Sequence, residues 1–119
     1  MAAFIRGDVV VLPFPMSSEE KFKRRPAVVV ASWPYKDSSD YLVCIITTQP
    51  NGNDPYIQEL ENSDLRDPAN GKFRKKSYIR PAYMFAADEG LILYRLGSLK
   101  PEKLAAVLKS VRSLFFEPL

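Results

Sequence analysis

Arg24-Arg25-Pro26-Ala27-Val28-Val29-Val30 decides the fold. Two fixed positive charges run through a proline into an unbroken apolar stretch. The apolar part needs burial, and the arginines stand where that strand leaves the core. A rigid sheet that holds guanidinium groups at one end is a sound way to present a phosphate site. A second stretch, Tyr41-Leu42-Val43-Cys44-Ile45-Ile46, ends in Thr47-Thr48-Gln49. The functional reading rests on these two strand ends meeting in space.

The chain around them has 119 residues, which makes residues 1–119 one domain with an ordinary core. Its hydrophobic fraction of 46% and aromatic fraction of 12% argue for a folded protein and against disorder. The net charge of +3 permits a nucleic-acid partner. Histidine is absent, which removes the usual general acid–base at neutral pH. It also removes histidine-ligated zinc, and the single cysteine cannot build a thiolate site. No metal and no cofactor are expected. Any catalysis must use carboxylates, hydroxyls, tyrosine, lysine or arginine. One cysteine allows no internal disulfide, so a reducing cytoplasm fits, and Cys44 reads as a small core residue. The first residues lack the apolar run of a signal peptide, and nothing approaches a membrane span.

Outward from the decisive strand, residues 4–15 read as a strand that starts at Gly7-Asp8 and ends at Pro13 and Pro15. Its Val9-Val10-Val11-Leu12 is too uniformly apolar for a half-exposed strand and predicts burial on both sides. Residues 16–23 are polar and charged, a loop that could close over a groove. Strands follow at 26–32, 41–49 and 56–60, with turns at 33–40 and 50–55. Residues 61–76 form a loop excursion. Its basic end, Lys72-Phe73-Arg74-Lys75-Lys76, reads first as a solvated loop and second as a contact for a phosphate backbone. Further strands lie at 77–85, bent at Pro81, and at 91–99. A helix then opens on Pro101, with Glu102 at the positive end of its dipole. Leu104, Val107, Leu108, Val111, Leu114 and Phe115 make its one apolar stripe. Six short strands and a terminal helix predict a mainly β fold, a small curved sheet or barrel capped by that helix. Phe14, Trp33 and Leu114-Phe115-Phe116 are candidates for partly exposed apolar contacts in a dimer.

No phosphate-binding glycine loop, metal signature or serine–histidine pair is present. The residues alone supply basic strand ends and a hydroxyl pair. Arg25 reads either as a phosphate ligand or as half of an ion pair that pins the loop. Thr47 and Thr48 read either as site hydroxyls or as ordinary strand residues.

The ordered set Gly7-Asp8-Val9-Val10, Arg25-Pro26-Ala27-Val28-Val29-Val30, Ile46-Thr47-Thr48-Gln49 and Ser77-Tyr78-Ile79-Arg80-Pro81 resembles the MazF/PemK (Kid) family of type II toxin–antitoxin toxins. The resemblance runs from about residue 5 into the C-terminal helix. It implies an SH3-like β-barrel with a C-terminal helix, as in PemK, MazF and CcdB, and a homodimer with a cognate antitoxin. It also implies sequence-selective cleavage of single-stranded RNA without a metal. By position, Arg25 matches the family's catalytic arginine and Thr47 its hydroxyl residue. Arg80 matches an arginine of the Kid branch. Lys23, Arg24, Thr48, Gln49 and Arg80 are the implied RNA-binding residues. Two features depart from the Kid branch: Ala82 stands where that branch has aspartate, and its loop histidine is missing. The resemblance therefore carries the Arg25/Thr47 pair and not the Kid acid–base pair.

The implied reaction uses the RNA's own 2′-hydroxyl as nucleophile and leaves a 2′,3′-cyclic phosphate and a 5′-hydroxyl. Arg25 would stabilise the transition state. The base would be Glu19, Glu20, Asp8 or water. The antitoxin would offer an acidic, partly disordered tail to the basic groove, covering Arg25. Two rivals stand beside this reading. One is a catalytically silent module that binds nucleic acid or protein, which Ala82 favours. The other is a CcdB-type gyrase inhibitor, disfavoured by a C-terminus without tryptophan.

Overall fold

Residues 27–30 form a continuous apolar run because both faces of their strand are covered. The computed structural model describes residues 2–15, 22–50, 52–67 and 73–117. The chain folds into β1 (Asp8–Pro15), β2 (Phe22–Tyr35), β3 (Ser38–Thr47), β4 (Gln58–Leu60), β5 (Ser77–Asp88), β6 (Tyr94–Ser98) and α1 (Pro101–Phe116). The strands make one antiparallel sheet in the order β4-β5-β3-β2-β1-β6. On one face Val9, Val28, Val30, Cys44, Ile46 and Ile79 pack against Leu104, Val107, Leu108 and Val111 of the helix. On the other, Val10, Leu12, Phe14, Ala27, Val29 and Val43 form a second core covered by Phe4 and Phe85. Val9 and Val10 thus serve opposite cores, as the uniform apolar run predicts.

The sheet curls until its edges approach each other. Leu65, beyond β4, bridges Leu99, beyond β6. The Arg66 N–H donates to the Ser98 carbonyl at 2.7 Å, and the Lys100 N–H to the Asp64 carbonyl at 2.8 Å. The expected small barrel is a half-barrel joined by this short bridge. Gly7 sits where β1 meets the helix. Its φ is +96°, and a Cβ there would lie 3.1 Å from the Leu104 side chain, so glycine suits the position twice over.

Three expectations need correction. Pro13 does not end β1, which runs on to Pro15 and ends there as expected, and the turn expected at 33–40 shrinks to Lys36-Asp37 because β2 runs through Pro34 to Tyr35. β6 pairs with β1 only as far as Val11, and β1 with β2 no further than Val28. Each proline therefore has a single strand neighbour and need not donate to a second. Phe14 is buried rather than partly exposed, its ring edge-on to Phe85 at 4.7 Å. Phe115 leaves the helix stripe and is 64% exposed, because the sheet does not reach the last helical turn. The bend at Pro81 is present. The β3–β5 register jumps from Cys44↔Met84 to Ile45↔Arg80, leaving Pro81, Ala82 and Tyr83 as a bulge. Cys44 is buried, and burial pushes its thiol up to about 12, so it is no nucleophile at neutral pH.

Candidate active site

β2 and β3 leave the core together. Ala27 lies opposite Ile45, and Arg25 and Thr47 are each two residues further out on the same face. The two strand ends singled out in the sequence therefore meet. They open onto a cavity of about 300 Å³, at the lower end of the range for small-ligand sites. Arg24, Arg25, Pro26, Thr47 and Thr48 line one side of it, and Phe73, Arg74, Lys75 and Ser77 the other. Arg25 is half-buried and Arg24 exposed. Among the described residues the lining holds four permanent or near-permanent cations and no carboxylate. That arrangement selects an anion, and two planar guanidinium groups suit a phosphate in particular.

Thr47 is placed by its own turn. Its Oγ1 accepts from the Gln49 N–H at 3.1 Å, which ends the strand and swings Thr48 and Gln49 into solvent. One of the hydroxyl's two lone pairs is thus engaged. Its proton has only a 3.5 Å contact to the Gln49 carbonyl, at the limit of a hydrogen bond. The proton remains able to turn toward a ligand oxygen.

The other sequence-derived candidates stand outside this cavity. Gln49 is exposed beside it and acts through its backbone on Thr47. Lys23 is exposed further out on β2, opposite Phe14. Arg80 lies on β5 opposite Ile45, its Nε 3.5 Å from Asp54 Oδ2 and its guanidinium over the Tyr83 ring at 5.7 Å. Asp8, a candidate base, is at the far end of the sheet. It is buried and accepts from Ser98 Oγ at 2.7 Å and the Ile5 N–H at 2.9 Å, so it is a structural group. Of the loop assigned to residues 16–23, Phe22 and Lys23 belong to β2 instead, while residues 16–21, with Glu19 and Glu20, lie outside the described residues, as does Lys72.

Phe73, Arg74, Lys75 and Ser77 are the site residues that sequence reasoning undervalued. The signal was a phenylalanine inside a basic run. Phe73 packs against the helix-side core and so holds the cations that follow it at the cavity. Among the described residues no group of three or more His, Cys, Asp or Glu side chains converges. No helix there is long and apolar enough to cross a membrane.

Residues 5–115 match the profile of a family described as PemK-like, MazF-like toxin of type II toxin–antitoxin system. Among curated proteins none matches the chain by sequence. Solved structures share the fold. An endoribonuclease in complex with its cognate antitoxin, from a mycobacterial species, is 14% identical with a TM-score of 0.68, covering 98% of this chain and 99% of that one. A Mycobacterium tuberculosis MazF toxin is 13% identical with a TM-score of 0.64, covering 94% and 99%. A chain of the MazE–MazF complex of Deinococcus radiodurans is 19% identical with a TM-score of 0.64, covering 99% and 100%.

Proposed function

Because the chain belongs to the PemK-like, MazF-like family of type II toxin–antitoxin toxins, we propose that it is a cytoplasmic endoribonuclease of single-stranded RNA whose reaction centre is the cavity between Arg25 and Thr47. One observation carries the reading: the strand ends that bear Arg24, Arg25, Thr47 and Thr48 converge on a cationic cavity of ligand size. RNA brings its own nucleophile. The 2′-oxygen attacks the adjacent phosphorus, the bond to the 5′-oxygen breaks, and the products are a 2′,3′-cyclic phosphate and a 5′-hydroxyl. This route needs no metal-bound water. Arg25 neutralises the charge that builds on the non-bridging oxygens, and the Thr47 hydroxyl donates to one of them. Arg24 and Thr48 hold the same strand. A guanidinium offers only donors, so Arg25 cannot be the base. With Asp8 at the far end of the sheet, Glu19, Glu20 or water takes the 2′-hydroxyl proton, and a proton is returned to the leaving 5′-oxygen. Gln49 keeps Thr47 in place, while Lys23 and Arg80 attract flanking phosphates from outside the cavity.

The protein works as a homodimer restrained by an antitoxin whose acidic segment covers Arg25. Cleavage of a long single-stranded RNA in excess EDTA tests the reading. The expected result is discrete fragments with 5′-hydroxyl ends. Binding without cleavage, across several unrelated RNAs, would replace it with the catalytically silent module that Ala82 favours.

A further inference from the structure

Phe73, Arg74 and Lys75, on the side of the cavity away from Arg24 and Arg25, precede β5 and belong to no strand, yet they are firmly tied. Asn62, in the short 3-10 turn Asn62–Asp64 after β4, reaches them with one side chain. Its Nδ2 donates to the Phe73 carbonyl at 2.9 Å, and its Oδ1 accepts from the Phe73 N–H at 2.8 Å. This two-way pairing is what a neighbouring strand would supply. Below it, Ser77 Oγ donates to the Lys75 carbonyl at 3.1 Å, and Lys76 pairs with Glu59 at 3.1 Å. The segment is held at both ends while Arg74 and Lys75 between them remain exposed. Among the described residues neither pairs with a carboxylate, although Lys76 next to them does. Two cations pinned across one small cavity from two others repel each other. An occupant with a single charge at Arg25 would leave that repulsion standing on the far wall.

We infer that Arg74 and Lys75 form a second phosphate subsite, for a phosphate adjoining the one at Arg25, and that Asn62 is the positioning residue that sets it. The inference rests on the reading of the cavity as an RNA site and specifies that the site grips two phosphates. A contact to a single-stranded backbone phosphate contributes about 0.7 to the slope of log affinity against log salt. Asn62 is uncharged, so a direct hydrogen bond to RNA, or a general loss of stability, would leave that slope alone.

The probe is a short, fully 2′-O-methylated single-stranded oligonucleotide of mixed sequence, bound but not cut, titrated over a range of salt. Arg74→Ala/Lys75→Ala is expected to lower the slope by about 1.4, two contacts' worth. Asn62→Ala is expected to lower it toward the same value, with no further loss when the three changes are combined. An unchanged slope in Arg74→Ala/Lys75→Ala overturns the subsite. That pair alters only exposed side chains and decides the matter even where Asn62→Ala lowers stability. A native slope in Asn62→Ala overturns the positioning role. Failure of the unaltered protein to bind the probe overturns this inference together with the RNA reading beneath it. Binding with an unchanged slope in the pair overturns this inference alone.

Discussion

The two ends of the sheet use polar residues in opposite ways. At the far end several polar side chains are tied to one another. Tyr41 donates to Glu89 and accepts from the Ala3 N–H at 3.0 Å. Asp67, Arg95, Ser98 and Asp8 form a chain with contacts of 3.1, 3.0 and 2.7 Å. These groups tie the N-terminal segment and β6 to the sheet. At the near end four cations line one cavity, with no carboxylate among the described lining residues. The same strands run through both ends: β3 carries Tyr41 and Thr47, and β1 carries Asp8 at one end and pairs with Arg25 of β2, through Leu12, toward the other. One scaffold therefore carries a polar network that ties its segments together at one end and a cation-lined cavity at the other.

The largest effect expected from this contrast is on catalysis. Arg25→Ala should lower the cleavage rate by about 10²–10³-fold, the usual cost of a lost charge-stabilising donor. Its urea midpoint should stay close to that of the parent. At the far end, Asp8→Ala leaves the Ser98 hydroxyl and the Ile5 N–H without their acceptor. It should lower stability by about 2 kcal/mol in urea denaturation while leaving cleavage per folded molecule unchanged. Thr47→Val sharpens the comparison, because Thr47 works on both sides of it. The hydroxyl ends the strand and faces the cavity, so a loss of about 1 kcal/mol in stability and a rate loss of roughly tenfold should appear together.

The smallest effect is in pH dependence. The Tyr41 hydrogen bond holds Glu89 below its ordinary carboxylate range. Its stabilising contribution is present above that range and is lost as pH falls through the lowered value. Burial, reinforced by Glu89, raises Tyr41 above its ordinary 10.0. That contribution is complete below 10 and is lost as pH rises through the raised value. Tyr41→Phe should flatten both limbs of a stability–pH profile measured by thermal melting.

The sequence made one end of this comparison easier to see than the other. The runs at 9–12 and 27–30 announced a sheet buried on both faces, because only two covered faces tolerate unbroken apolar residues. The meeting of Arg25 and Thr47 followed from two strands ending in polar residues. Pro13 and Pro34 misled because a proline's meaning depends on how many neighbours its strand has, which is a property of the sheet. Asn62 and Phe73 are eleven residues apart and pair through a side chain, so no local pattern marks them. Arg80 matched a family position by motif, but its ion pair with Asp54 depends on a loop closing across the sheet. Asp8 was readable as a carboxylate and not as a buried one, since its partner Ser98 is 90 residues away.

The most direct test is a paired readout on Arg25→Ala and Asp8→Ala: RNA cleavage in EDTA and the urea midpoint, on the same preparations. The account predicts a crossed result, with Arg25→Ala folded and inactive and Asp8→Ala weakened but active in its folded fraction. Parallel loss of stability and activity in Arg25→Ala would contradict it, because Arg25 would then hold the strand ends together and the near end would be structural like the far one.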